Sequence, residues 1–269
     1  MAQPVLDALA ARLRAAGCVF AEEEAELLLE AGGSGERLED LVARRVDGEP
    51  LEHLLGWVAF AGRRWAVAPG VFVPRQRSEL LVALATGAAP RSAVVVDLCC
   101  GNGALGGAVA VALRADGADV VLHAADVDPA ATACAAVNLA PLGGVVHTGD
   151  LYDPLPADLR GRVDVLLCHA PYVPTAAIAL MPPEAREHEP LVALDGGADG
   201  LAILRRAIAG APDWLAPGGT LLFELGDDAQ LAAADALLAV AGLVGRVEED
   251  DETGATVVVA TKGPSPLAR

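Results

Sequence analysis

The spacing of apolar residues along this chain changes twice, and each change marks a boundary. Between residues 4 and 47 they recur at helical intervals: Val5, Leu6, Leu9 and Leu13, then Ala25, Leu27, Leu28 and Leu29, then Leu38, Leu41, Val42 and Val46. That pattern predicts three amphipathic helices. Gly32-Gly33-Ser34-Gly35 breaks the second from the third, and Glu22-Glu23-Glu24 reads as a solvated face at a helix start, where acids suit the dipole. From Trp57 to Val67 the period shortens towards two, which predicts a hairpin turning at Ala61-Gly62-Arg63-Arg64. Beyond Ala93, short apolar runs at 94–98, 120–124, near 145, 163–168, 220–224 and 255–261 alternate with helical stretches at 129–139, 201–208 and 228–240. Strands alternating with helices predict an α/β domain with a mostly parallel, doubly wound sheet. The predicted division is a helical unit at 1–56, a β-hairpin linker at 57–74, the α/β domain at 75–263 and a frayed tail at 264–269.

Composition narrows the functional classes. The chain has 269 residues, 54% of them hydrophobic, enough for a substantial core. The net charge of -18, with Lys262 as the only lysine, opposes binding to nucleic-acid phosphates. Five scattered cysteines (Cys18, Cys99, Cys100, Cys134, Cys168) include no CxxC pair, so the spacing does not suggest a metal site, and a reducing cytoplasmic setting fits them. The first turns carry both acid and base, unlike a signal peptide. The most apolar stretch, 93–113, is interrupted by Asp97 and several glycines and does not read as a membrane span.

Two stretches carry candidate chemistry. After the first sheet strand, Asp97-Leu98-Cys99-Cys100-Gly101-Asn102-Gly103 turns into a helix, with small residues that let backbone approach a ligand. Gly101, Gly103 and Gly106 formally match a dinucleotide-binding GxGxxG. Acids end three successive strands, however: Asp97, Asp126 and Asp150. They would repel a pyrophosphate and suit a cationic, hydroxyl-rich ligand such as S-adenosylmethionine, with the ribose hydroxyls on Asp126 and the adenine amine near Asp150. The second stretch is His169-Ala170-Pro171-Tyr172, at the carboxyl end of the apolar run 163–168. It offers an imidazole, a backbone carbonyl ahead of a proline, and a flat ring where α/β sheets bind ligands. It reads either as a site holding a nitrogen acceptor or as a proline-rich turn with a surface histidine.

The chain resembles the protein-(glutamine-N5) methyltransferases that modify the GGQ loop of peptide-chain release factors. The matching pieces run through nearly the whole length: Gly48-Glu49-Pro50-Leu51, Phe72-Val73-Pro74-Arg75 with Ser78-Glu79, the Asp97–Gly103 glycine turn, Asp126-Val127-Asp128-Pro129, Asp150-Leu151-Tyr152, Glu189-Pro190, the 195–201 loop, Pro217-Gly218-Gly219 and Phe223-Glu224-Leu225-Gly226. The resemblance implies a seven-stranded Rossmann-like class I methyltransferase domain, S-adenosylmethionine as methyl donor, and a helical N-terminal domain that recognises a protein. It implies donor contacts from Asp97, Cys99, Gly101, Gly103, Asp126, Val127, Asp150 and Leu151, and acceptor-side contacts from Phe72, Pro74, Arg75 and Glu189. It makes His169, Ala170, Pro171 and Tyr172 the counterpart of an Asn-Pro-Pro-Tyr loop whose Asn side chain and next carbonyl grip the target nitrogen. Cys99 stands where that family has a glycine, Ser78 a threonine, Ala170 a proline, and His169 the asparagine. An imidazole can accept an N–H, as the Asn amide oxygen does, or serve as a general base. The expected acceptor is therefore a release-factor glutamine, with another nitrogen or an oxygen acceptor as the alternative, and a non-catalytic protein of the same fold as a further reading.

Overall fold

A computed structural model describes residues 2–263; the tail expected at 264–269 lies outside the described residues. The amphipathic N-terminal pattern folds as α1 (Ala2–Ala15), α2 (Ala21–Gly32), α3 (Glu36–Val46) and a short α4 (Leu51–Leu55). Leu9, Leu13, Ala25, Leu28, Leu38 and Val42 form a core of their own. The acidic run at the start of α2 is not wholly a solvated face. Glu24 is buried and accepts from Arg45 Nε at 2.6 Å, because α3 brings that guanidinium against it. Arg45 also reaches Glu184 at 3.2 Å, far along the chain.

The hairpin is tighter than its sequence suggests. Strands β1 (Trp57–Phe60) and β2 (Arg63–Ala66) enclose a turn of Ala61 and Gly62 alone, with φ of 48° and 70°. Two left-handed residues match the twist of antiparallel strands, so Arg63 and Arg64 belong to β2. Val58, Phe60, Trp65, Val67, Val71 and Val73 are buried with the helices and strands of the sheet domain. Trp65 lies over Gly107, where an added Cβ would fall 2.5 Å from the indole.

Seven strands follow: β3 (Ser92–Leu98), β4 (Asp119–Asp126), β5 (Val145–Thr148), β6 (Val163–Cys168), β7 (Leu215–Glu224), β8 (Leu243–Asp250) and β9 (Ala255–Lys262). Their order is β5-β4-β3-β6-β7-β9-β8, with β9 antiparallel to both of its neighbours. The sequence pattern missed β8. It is an edge strand whose charged residues Arg246, Glu248, Glu249 and Asp250 hide the apolar period, and such charges discourage edge-to-edge pairing.

Alternate residues of each central strand enter different cores. Val165 and Leu167 pack with α5 (Glu79–Ala88), α6 (Ala104–Ala115) and α7 (Pro129–Leu139), whereas Leu166 and Cys168 pack with α10 (Ala202–Trp214) and α11 (Asp228–Ala241). Burial on both faces explains the unbroken apolar run at 163–168. From β3 the chain winds outward through β4 to β5, then returns to β6 beside β3 and winds the other way. The crevice between the carboxyl ends of β3 and β6 is thus the switch point where such sheets bind ligands. Two short helices, α8 (Pro183–His188) and α9 (Leu191–Leu194), lie in the connection after β6.

Candidate active site

A pocket opens at that switch point. Its lining includes Phe72, Pro74, Arg75, Asp97, Cys99, Gly101, Asp126, Val127, Asp150, Leu151 and all four residues of the His169–Tyr172 loop. Two expected site residues lie outside the lining. Gly103 is the left-handed N-cap of α6, φ 77°, pressed against Ala135 and Leu139. Glu189 is a buried carboxylate that accepts from Arg75 at 2.6 Å and from the Val73 amide, so it anchors Arg75 from behind the pocket wall. The Arg75 guanidinium in turn lies 4.9 Å from the Phe72 ring centroid.

The three acids have distinct environments. Asp97 is fully buried, and its Oδ2 accepts from the Gly106 amide at 2.9 Å. The formal third glycine of a phosphate loop therefore spends its N–H on an internal carboxylate, which places negative charge where a pyrophosphate would need donors. Oδ1 of Asp97 is the buried side-chain polar atom left without a partner among the described residues. Burial pushes this carboxyl up to about 7, against the pull of the Gly106 amide and of His169. An orphaned acid in the pocket fits a cationic ligand and disfavours an anionic one.

Asp126 ends β4 with both oxygens on backbone, accepting from Gly101 N and Asp128 N at 2.9 Å each. Burial raises its pKa, and those amides partly offset the rise. Each oxygen keeps a lone pair for a hydroxyl donor. Asp128 caps α7 through the Ala130 amide. Asp150 is half exposed and paired with Arg206 at 2.6 Å, leaving one oxygen free of that contact. Cys99 sits at φ 54°, in the left-handed region that favours glycine. Cys168 beside it, together with burial, drives its thiol well up, so it lines the pocket as a protonated thiol.

The His169 loop is held by its surroundings. Val173 and Gly196 pair through backbone, and Gln230 Nε2 donates to Tyr172 O at 2.8 Å. Gly196 packs so closely that a Cβ there would lie 2.5 Å from Gly200 O and 2.6 Å from Pro171 O, which accounts for glycines in the 195–201 loop. The Ala170 carbonyl accepts no hydrogen bond among the described residues. The His169 ring lies between Phe72, with centroids 5.7 Å apart, and the edge of Tyr172, 6.1 Å away.

Behind the loop stands a cluster that sequence reasoning left outside the site. Glu224, at the end of β7, is almost fully buried. Its Oε1 accepts from Arg77 Nε at 2.7 Å and Tyr172 OH at 2.9 Å, and its Oε2 from Ser78 Oγ at 2.7 Å. His169 Nε2 lies 3.7 Å from Oε2, and Arg77 also donates to the Tyr172 hydroxyl. Burial disfavours the carboxylate, but His169, Ser78 and Arg77 outweigh it and hold Glu224 well below the usual range. Burial and the neighbouring Glu224 push the Tyr172 phenol up to about 12, so it stays a donor. The available signal was an acid closing an apolar strand, the feature that singled out Asp97 and Asp126.

No family model matches the chain. It is 41% identical over 188 residues to the release factor glutamine methyltransferase of Geobacter sulfurreducens, covering 69% of this chain and 64% of that protein. To the enzyme of the same name from Bordetella pertussis it is 43% identical over 210 residues, covering 76% and 74%. Among solved structures, a methyltransferase from Pyrococcus furiosus superposes with a TM-score of 0.54 at 18% identity, covering 75% of this chain and 90% of that one, a likeness of fold. The chain thus spans about two thirds to three quarters of the length of these two relatives, and it belongs to the release factor glutamine methyltransferase family.

Proposed function

We propose that this chain transfers a methyl group from S-adenosylmethionine to the side-chain nitrogen of a glutamine in a peptide-chain release factor, in the cytoplasm. The observation that carries this reading is the pairing of an orphaned buried acid, Asp97, with two free acceptors, the Ala170 carbonyl and His169, in one pocket. When bound, the donor supplies an electrophilic methyl on a cationic sulfur. Asp97 would offer that cation a counter-charge, Asp126 would accept from its hydroxyls, and Asp150 would hold its ring amine.

The residues of the loop act on the acceptor. An amide nitrogen is a weak nucleophile because its lone pair is delocalised into the carbonyl. Two acceptors drawing on its N–H groups, the Ala170 carbonyl and His169, enrich the nitrogen and aim it along the displacement axis. Pro171 stiffens the turn, and Tyr172, fixed by Glu224 and Arg77, gives the planar amide a wall. Phe72, Pro74 and Arg75 border the acceptor side, with Arg75 held by Glu189. The helical unit of α1–α4 is proposed to recognise the protein that carries the glutamine.

His169 supports a second reading, an acceptor nitrogen of another class, since an imidazole is bulkier than an amide and takes up a proton near neutrality. Labelled S-adenosylmethionine incubated with a release factor, and in parallel with small amines and amides, tests both. Label on the release factor, lost when its glutamine is replaced, is the expected result. Label only on a small molecule would replace the glutamine reading with the second.

A further inference from the structure

The contacts around His169 Nε2 determine which ring nitrogen carries hydrogen. Ser78 Oγ lies 3.5 Å from Nε2 but gives its own proton to Glu224 Oε2 at 2.7 Å, so towards the imidazole it can only accept. Glu224 Oε2, 3.7 Å from Nε2, is an acceptor as well. Two acceptors facing Nε2 call for a hydrogen there. Nδ1 has no hydrogen-bond partner among the described residues, and it is not sealed from solvent as the orphaned oxygen of Asp97 is. We propose that Glu224, assisted by Ser78, is a positioning residue that holds His169 as the Nε2–H tautomer and leaves Nδ1 as the acceptor of the target nitrogen's proton.

This inference rests on the proposed methyl transfer and assigns the fate of its proton. The new N–C bond forms as the S–C bond breaks, and the S–C electron pair stays on sulfur, which leaves as a neutral thioether. The nitrogen's surplus proton passes to Nδ1. The resulting imidazolium has its Nε2–H towards the carboxylate of Glu224, which stabilises the charge before the proton escapes to solvent. Other charged and titratable groups surround the ring: Arg77 ahead of α5, Tyr172 on the same loop, Asp97 from β3, and Arg75 behind Phe72. Among the carboxylates of the described residues, Glu224 is the one within 4 Å of a ring nitrogen. Arg77 has Glu224 and the Tyr172 hydroxyl as its own partners, which holds its charge against them.

The full chain labelled with 15N-histidine tests the assignment without turnover. Long-range proton–nitrogen spectra at about pH 8, where an unperturbed imidazole is neutral, should show His169 with a pyrrole-like Nε2 and a pyridine-like Nδ1. The His169 signals are those lost in His169→Asn. Glu224→Gln should abolish the tautomer bias. It should also lower kcat about tenfold or more, because the proton-bearing imidazole loses the carboxylate that faces its Nε2–H. In the His169→Asn background the same Glu224→Gln change should cost several-fold less, which separates orientation of the imidazole from the support Glu224 gives Arg77 and Tyr172. A pyridine-like Nε2 in the parent protein, or an equal cost of Glu224→Gln in both backgrounds, overturns the proposal. If no release factor is methylated, the acceptor reading fails by itself, and the spectrum of the unvaried protein still decides the tautomer.

Discussion

Asp97 has the one buried side-chain oxygen without a partner among the described residues, and its chemistry gives the proposed donor site a pH signature. Burial raises its carboxyl to about 7, far above an ordinary aspartate, with the Gly106 amide and His169 only partly opposing this. A raised acid contributes stability that is complete below its unfolded pKa and is lost as pH climbs through about 7. A cation binds the ionised form, so affinity for the methyl donor should rise with pH between about 6 and 8, by at most tenfold per unit below the pKa. Asp97→Asn should weaken the donor at least tenfold at about pH 8 and flatten the profile, as read by calorimetry. A pH-independent dissociation constant in the parent protein would remove Asp97 from the donor site. At this scale the sequence pointed to Asp97 and Asp126 as acids ending buried strands, and passed over Glu224, which ends one as well. It was silent on Arg77, whose importance lies in reaching Glu224, 147 positions away, which no spacing rule reports.

Elements set the loop's position through glycines that local propensity does not explain. Gly200 has φ 76°, and a Cβ there would collide with the Tyr172 carbonyl and the Gln230 amide that donates to it. Gly200→Ala should therefore displace the His169–Tyr172 loop while the sheet stays intact. The expected cost is about 1–3 kcal/mol of stability with a disproportionate fall in kcat, read by denaturant melts beside turnover. A variant with unchanged kcat would show that the loop tolerates the shift. Strand existence followed from apolar runs wherever both faces are buried, as in β3 and β6. It failed for β8, whose residues from Val244 to Val247 are all exposed at the edge, and for α4, which is too short for a period to register.

The whole molecule has separate cores, and the chain passes from one to the other between Leu54 and Val58. The α1–α4 unit buries its apolar residues among themselves, whereas the hairpin at 57–74 contributes Val58, Phe60, Trp65, Val67, Val71 and Val73 to the core beneath the sheet. Period-two patterning revealed the hairpin, but not the core it joins, because the room for Trp65 is made by Gly107 on a distant helix. Burying each of these side chains is worth about 1.5–3 kcal/mol, together on the order of 10 kcal/mol, as much as a typical domain's entire net stability. A chain starting at Trp57 loses the Arg45–Glu184 pair and the His53 contact to the Val71 carbonyl, but keeps the sheet core complete. It should unfold cooperatively and bind the methyl donor within a few-fold of the full chain, while methylation of a protein acceptor falls at least tenfold through KM if α1–α4 recognise that protein. A chain starting at Arg75 should fail to fold. Calorimetric melts, donor binding and kcat/KM on all three lengths decide the matter: equal methylation by the Trp57 start would strip the helical unit of its recognition role, and a folded Arg75 start would reduce the hairpin to a linker.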